Sequence, residues 1–388
     1  MNILKEKKEK LLDFFDAVEG YHISLAIAVL LFCGYIFVRG DKDRVNFVIE
    51  RVTTPYKRMM GYLCDFIPIS VMEILILLAA LLGIFMLVRG IVLTVKRPEK
   101  VQWIYKTALF FLAAALLVWD GYCWLWGLNY YGDSFSDKSG LTAAPIAADD
   151  LYRTTVYYAD VANALSGSVK RDAEGRFDEN LDEIFAASDR IYAGLVAEYP
   201  FLDAPNRTPK RMIASEFMSI INFTGVYFPF TSETNLNDVS PSCLIPATIA
   251  HELAHQKNIA AEQEANFVAV RACMTGDMPV YAYSGALLAY IYLGNALYEA
   301  DYAAWQEVYG SLNEQVRADL DYNNAYWASY ETKGADAAET VYEAFLSSYD
   351  QNLGMKSYGA CVDLLVADYL EKEKAAYQEY LQNVDGVS

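Results

Sequence analysis

A chain of 388 residues is long enough for two or three structural units, and its 54% of hydrophobic residues is high for a soluble protein. The formal net charge of −19 argues against binding to nucleic acid and against docking on an anionic lipid surface. The six cysteines form no CxxC pair, which argues against a disulfide framework and against a cysteine-based zinc site.

The first third of the chain contains three apolar stretches, each close to the roughly 20 residues that cross a bilayer as a helix. We predict transmembrane helices at about 22–39, 68–89 and 103–128, which together make a membrane domain over 1–131. The charged segment 39–44 follows the first stretch without a small-residue cleavage site, so we interpret that stretch as an anchor and not as a cleaved signal peptide. Buried helices of a soluble domain are the alternative to the three spans.

Lysine and arginine placement predicts the orientation of these spans in the membrane. Nine basic residues lie before the first span and around the loop between the second and third, against six in the first loop. This excess predicts a cytoplasmic N-terminus. With three spans, the C-terminal domain is then extracytoplasmic.

A polar linker is predicted over 132–149, followed by a mainly helical domain over 150–388. Segment 225–231 is aromatic and β-branched, and it reads as an edge strand because Pro229 cannot donate to a ladder. The polar segment 232–240 after it reads as a loop. The domain is therefore α+β with a small sheet. Apolar residues at helical spacing predict helices at 150–166, 181–199, 262–274, 283–298, 303–322, 335–349 and 359–380.

The segment 248–256 (TIAHELAHQ) contains two of the three histidines of the chain, His251 and His255, in an HExxH motif. On a helix, this spacing puts both imidazoles on one face, about one turn apart. Two imidazole nitrogens there can bind one Zn²⁺, and the intervening Glu252 can reach a metal-bound water. The motif predicts a zinc metallopeptidase. A helix whose histidines make ordinary hydrogen bonds is the alternative.

A catalytic zinc needs a third protein ligand and an open position for water. The remaining histidine, His22, lies at the first predicted span, so a carboxylate has to serve. Both Glu262 and Glu264 follow the motif closely enough to reach the metal from a second helix.

Glu262 and Asn266 resemble the two ends of the second-helix signature of gluzincin peptidases, a glutamate followed four residues later by aspartate or asparagine. This resemblance implies that Glu262 is the third zinc ligand and that Glu264 points away, to solvent. It also implies that Asn266 orients a ligating histidine through the free ring nitrogen of that histidine.

The likeness extends over most of the chain. It resembles a bacterial membrane-anchored family called domain of unknown function 3810, which is similar to zinc-dependent peptidases. This implies a zincin-like fold in a bacterial cytoplasmic membrane. The resemblance rests on residues 126–130 (WGLNY), 225–233 (GVYFPFTSE), 251–256 (HELAHQ), 262–267 (EQEANF) and 357–359 (SYG).

We therefore expect an endopeptidase anchored in the lipid bilayer, with Zn²⁺ as cofactor and a peptide or protein as substrate. Glu252 acts as the general base, and a tyrosine, Tyr358 first and Tyr227 second, stabilises the oxyanion. The predicted strand is a candidate for pairing with the substrate backbone, and acidic residues within 232–238 could favour basic substrates or simply be solvated. The alternative function is a catalytically silent membrane receptor or scaffold that retains a zinc-binding gluzincin fold.

Overall fold

The structure is a computed structural model, and it divides into two compact units that are described separately. The first unit contains 1–57, 71–132 and 229–231, and the second contains 58–70, 133–228 and 232–388. The structure describes residues 14–16, 18–142, 146–331, 336–337, 339–342, 344 and 358–385, of which 358, 374–375 and 377–385 are described by their backbone alone.

Three long apolar helices dominate the first unit, as predicted, and each is long and apolar enough to cross a membrane. Tyr35 of the first and Cys123 of the third are buried together with Val45, Ile49 and Leu128. Elsewhere most of their apolar side chains are exposed, which fits a lipid environment. The helices of this part of the chain are α1 (Glu19–Arg39), α2 (Lys42–Val48), α3 (Thr54–Cys64), which ends in the second unit, α4 (Val71–Lys96) and α5 (Lys100–Leu125).

The second unit is a helical assembly around one large hydrophobic core. Its helices are α6 (Phe135–Ser139), α7 (Ala148–Ser166), α8 (Leu181–Ala187), α9 (Ala193–Glu198), α10 (Ser215–Ile220), α11 (Ile245–Gln256), α12 (Glu262–Thr275), α13 (Pro279–Ala300), α14 (Tyr302–Ser311), α15 (Glu314–Ala328) and α16 (Tyr358–Asp385). α12 lies at the centre, where it packs against α11, α13 and α16. It is buried on nearly all sides from Phe267 to Cys273.

A three-stranded sheet completes the second unit, with β1 (Lys210–Arg211), β2 (Gly225–Phe228) and β3 (Glu233–Leu236) in the order β1-β3-β2. β3 pairs in parallel with β1 and antiparallel with β2. The predicted edge strand is β2. The prediction of a loop over 232–240 was wrong, because the central strand β3 lies inside it. Three of its four residues are polar although all four are buried, so hydrophobic patterning gave no signal for it.

A buried lysine ties the sheet to the segment Arg58–Ser70, which lies between the first two apolar helices in sequence. Lys210 Nζ donates to the carbonyl oxygens of Cys64, at 2.9 Å, and Ile69, at 3.2 Å. It also pairs with the Glu233 carboxylate, which is buried as well. The three interactions satisfy the donors of a cation that would otherwise be costly to bury, and they make this segment part of the second unit.

Two predicted helices are interrupted. The segment 181–199 contains α8, a 3₁₀ turn at Ser188–Arg190 and α9. The segment 303–322 divides into α14 and α15, because the Asn313 side chain accepts a hydrogen bond from the Val316 N–H and so caps the N-terminus of a new helix. The helix predicted at 335–349 lies largely outside the described residues.

The segment predicted as a linker, 132–149, is partly folded. It contains α6 and the beginning of α7. Phe135, the first residue of α6, is completely buried in the core of the second unit against Phe267 and Tyr199. The mostly polar composition of this segment led us to predict a linker, although Phe135 within it is part of the core.

Candidate metal centre

The HExxH motif lies on α11, as predicted. Pro246 occupies the first turn of this helix, where its missing N–H costs no hydrogen bond. The helix ends after Gln256, where Asn258 adopts a left-handed conformation with φ of 69° and turns the chain toward α12. His251 and His255 share one face, with their ring centroids 4.6 Å apart.

Glu262, the first residue of α12, faces these two imidazoles. Its Oε2 lies 3.2 Å from His251 Nε2, and its Oε1 lies 3.6 Å from His255 Nε2. His251, His255 and Glu262 each have one potential ligand atom, a ring nitrogen or a carboxylate oxygen, and these three atoms lie within 4.8 Å of one another. Within the described part of the chain, this is the one cluster of three or more such side chains that could hold a metal ion. Two imidazoles and a carboxylate are a ligand set of catalytic zinc sites.

The His255 ring is oriented by the main chain. Its Nδ1 lies 2.7 Å from the Ile259 carbonyl oxygen, which can only accept, so Nδ1 carries the proton and Nε2 is left to face Glu262. We had predicted this orienting role for Asn266, and that prediction was wrong. Among the described residues, His251 Nδ1 has no hydrogen-bond partner, and Asn266 lines a cavity next to the cluster.

The electrostatics of the cluster suit a cation between the three side chains. Burial alone would lower the pKa of His255, but the Glu262 carboxylate outweighs it and raises that pKa to about 9. Burial likewise opposes ionisation of Glu262, yet the imidazoles of His255 and His251 hold its pKa well below the ordinary value. A carboxylate that favours positive charge on its neighbour would equally favour a bound metal ion.

Glu252 is buried on the same helix, near enough for both imidazoles to act on its charge. Burial raises the pKa of its carboxyl, and the Tyr227 backbone N–H donates a hydrogen bond to it. Strand β2 passes very close to this side chain: a Cβ atom placed on Gly225 would lie 2.8 Å from the Glu252 Cγ. The glycine is therefore needed for the close approach of the strand to the Glu252 carboxylate.

We expected Glu264 to point away from the cluster, to solvent. It does lie outside the cluster, but it does not point to solvent. It is buried, and its two carboxylate oxygens accept hydrogen bonds from the backbone N–H groups of Phe135, at 2.8 Å, and Ser136, at 3.0 Å. Glu264 thus satisfies the free N–H groups in the first turn of α6. Its role is to hold that helix.

The structure separates the candidate tyrosines. Tyr227 is buried, and its hydroxyl is 3.0 Å from the Ser232 hydroxyl, which argues against a role as oxyanion donor. Tyr358 begins α16, but its side chain lies outside the described residues. Tyr342, which we did not predict, donates from its hydroxyl to Glu262 Oε1 at 2.9 Å. With 30 tyrosines in the chain and no distinctive spacing, the sequence contained no signal for this residue.

A cavity of about 260 Å³ lies against the cluster. His251 and Glu262 form part of its wall. The other twelve lining residues are all uncharged, namely Thr224, Ser240, Pro241, Leu244, Ala247, Thr248, Asn266, Leu288, Tyr292, Asn323, Trp327 and Tyr342.

The acidic residues of 232–238 do not form a solvated rim. Glu233 is buried in its pair with Lys210. Asp238 accepts a hydrogen bond from the Ser215 hydroxyl at 2.8 Å and lies 3.9 Å from Arg211. Both carboxylates already have cationic or hydrogen-bonding neighbours, so the structure gives no support to a preference for basic substrates from this segment.

The fold and the cluster define a class of protein with three apolar helices of membrane-spanning length and a helical unit that holds a possible metal centre. Residues 50–366 match the family described as "Protein of unknown function (DUF3810)", and the chain belongs to this family. Comparison with curated proteins and comparison with solved structures each gave no match.

Proposed function

We propose that this chain is a membrane-anchored, zinc-dependent endopeptidase with a zincin-like catalytic domain on the extracytoplasmic side of a bacterial cytoplasmic membrane. The observation that carries the proposal is the convergence of His251, His255 and Glu262, with their ligand atoms within 4.8 Å, beside the buried Glu252. These three residues would hold the metal. A buried carboxylate next to them is the group that peptide hydrolysis requires as a base.

When bound, Zn²⁺ would supply a Lewis acid and a water molecule of lowered pKa. Glu252 takes a proton from the attacking water on a carboxylate oxygen and delivers it to the nitrogen of the leaving amine. Burial raises the pKa of this carboxyl above that of an exposed glutamate. The Tyr227 N–H keeps the carboxylate in one orientation while it does so.

An extended peptide substrate would bind along strand β2. The Asn237 N–H donates to the Thr224 carbonyl at 2.9 Å. Because the N–H and C=O groups of a strand alternate in direction, those of Val226 and Phe228 also point toward β3. The main-chain groups of Gly225 and Tyr227 therefore point away from β3, on the side of Glu252. The Tyr227 N–H already donates to Glu252, so pairing of the substrate backbone along this edge would use the main-chain groups of Gly225, and it would bring the scissile bond to the base.

Tyr342 is our candidate for the donor that stabilises the oxyanion, in place of Tyr227. Its hydroxyl already reaches a ligand carboxylate, Glu262, and its ring lines the cavity. Its one O–H proton is donated to Glu262 here, so the hydroxyl would turn from that carboxylate to a substrate oxygen beside the metal ligands.

Glu252→Gln tests the proposal, because it preserves shape and removes the base. In full-length protein in detergent, we expect unchanged zinc content by elemental analysis and a loss of peptide hydrolysis of about 10²- to 10⁴-fold. Glu299→Gln, at an exposed position of α13, is the matched control and should leave both unchanged. Zinc binding with cleavage equal in wild type and Glu252→Gln would defeat the peptidase and leave a metal-holding receptor or scaffold.

A further inference from the structure

We infer that the cavity against the metal cluster selects the substrate: it accepts one large, uncharged, apolar or aromatic side chain next to the scissile bond. This inference rests on the proposed function and adds to it the class of peptide that is cleaved. It replaces the expectation of basic substrates, which the engaged carboxylates of Glu233 and Asp238 do not support.

The position of the cavity relative to the ligands comes first. Thr248, one turn before His251 on α11, lines it, and so does Asn266, one turn after Glu262 on α12. The two ligands His251 and Glu262 themselves form part of the wall. The cavity therefore opens beside the place where the carbonyl group of a bound peptide would lie. A side chain adjacent to that carbonyl is the part of the substrate that can enter.

The chemistry of the wall determines what can enter. Leu244 precedes α11, Leu288 and Tyr292 come from α13, and Trp327 comes from α15. Among the described residues that line the cavity, Glu262 is the one carboxylate, and there is no lysine, arginine or aspartate. In the zinc-loaded protein Glu262 would be taken up as a metal ligand. A charged substrate side chain would then lose its hydration in the cavity without gaining a partner of opposite charge, whereas an apolar one gains from burial.

The size of the cavity sets the limit on the substrate side chain. Pockets for drug-sized ligands span about 300 to 1,000 Å³. The volume of about 260 Å³ lies just below that range, so it suits a single large side chain. Small side chains would leave part of the apolar wall in contact with water or empty. We therefore expect leucine, methionine, phenylalanine and tyrosine to be preferred over alanine and glycine.

The test uses full-length, zinc-loaded protein in detergent and a diverse set of synthetic decapeptides, with every cleaved bond identified by mass spectrometry. One of the two positions that flank the cleaved bond should be enriched in large apolar residues. Peptides that differ at that position alone should show a kcat/KM at least 100-fold higher for phenylalanine or leucine than for lysine or aspartate.

Two substitutions change the wall in opposite directions. Leu288→Trp fills the cavity, so hydrolysis of the phenylalanine peptide should fall at least 10-fold relative to the alanine peptide. Trp327→Ala enlarges the cavity and should lower the discrimination between phenylalanine and leucine. Trp305→Ala, which removes an indole from α14 outside the cavity lining, is the matched control and should leave the profile unchanged. Zinc content and thermal unfolding identify any variant that fails to fold.

A binding measurement separates selection from turnover. In the Glu252→Gln background, fluorescence anisotropy of a labelled phenylalanine peptide should show at least 10-fold tighter binding than the lysine peptide, and Leu288→Trp should remove the difference. Hydrolysis that depends on Glu252 but has no preference, or prefers charged residues, overturns the inference and leaves the peptidase intact. Hydrolysis that is equal in wild type and Glu252→Gln overturns the proposed function and this inference together.

Discussion

Two glutamates two residues apart, Glu262 and Glu264, have different partners. On a helix, a separation of two residues turns a side chain through about 200°, so both cannot face the same point. Glu262 faces the imidazoles, and Glu264 accepts the N–H groups of Phe135 and Ser136. The residue types alone left this choice open, and the likeness to gluzincins selected Glu262.

Conversion of each glutamate to glutamine should separate their roles. Glu262→Gln removes the carboxylate that we propose as a zinc ligand, and we expect the zinc content of the purified protein to fall close to zero. Glu264→Gln should keep zinc but lower the free energy of unfolding by about 1–3 kcal/mol, because an amide NH₂ then faces buried N–H donors. Elemental analysis and thermal unfolding of both variants measure the two effects. The reverse outcome, zinc loss in Glu264→Gln alone, would contradict the assignment of ligands.

At the scale of elements, the site depends on a strand and a helix that approach within contact distance. β2 brings the Tyr227 N–H to Glu252, and it can do so because Gly225 has no side chain in the narrow space beside that carboxylate. The strand was predictable from its composition. Its approach to α11 was not predictable. The distance between β2 and α11 depends on the pairing of β2 with β3, and β3 lies in a segment that we predicted as a loop.

We therefore expect Gly225→Ala to displace either the strand or Glu252. Peptide hydrolysis should fall about 10- to 100-fold with zinc content unchanged, since a displacement of about 1 Å is enough for such losses. Gly310→Ala in α14 is the control, because a Cβ atom there meets nothing within 4 Å. Activity in Gly225→Ala equal to that of Gly310→Ala would show that the contact has no role in positioning the base.

At the scale of the whole molecule, the described residues contain three apolar helices that could span a membrane, which is an odd number. With the basic residues distributed as they are, the second unit should lie outside the cytoplasm. Arg97, between α4 and α5, and Ala173, between α7 and α8, are both exposed and suit a cysteine-labelling experiment.

In a Cys33→Ser background, which removes the exposed native cysteine, Ala173→Cys should react with a membrane-impermeant maleimide in intact cells. Arg97→Cys should react only after permeabilisation. Labelling of Arg97→Cys and protection of Ala173→Cys in intact cells would reverse the orientation. It would also place the candidate site in the cytoplasm.

The sequence by itself determined the features that depend on local spacing. The apolar stretches predict α1, α4 and α5 because their length and composition suffice, and the i, i+4 histidines predict a paired metal-binding face because helical geometry is fixed. The choice of Glu262 came from the likeness to the gluzincin signature. Only the tertiary structure decided the rest, since it joins residues that are distant in sequence. Tyr342 reaches Glu262, Glu264 holds α6, and Lys210 ties the segment Arg58–Ser70 to the sheet. Such contacts depend on how elements pack, and no periodicity along the chain records them.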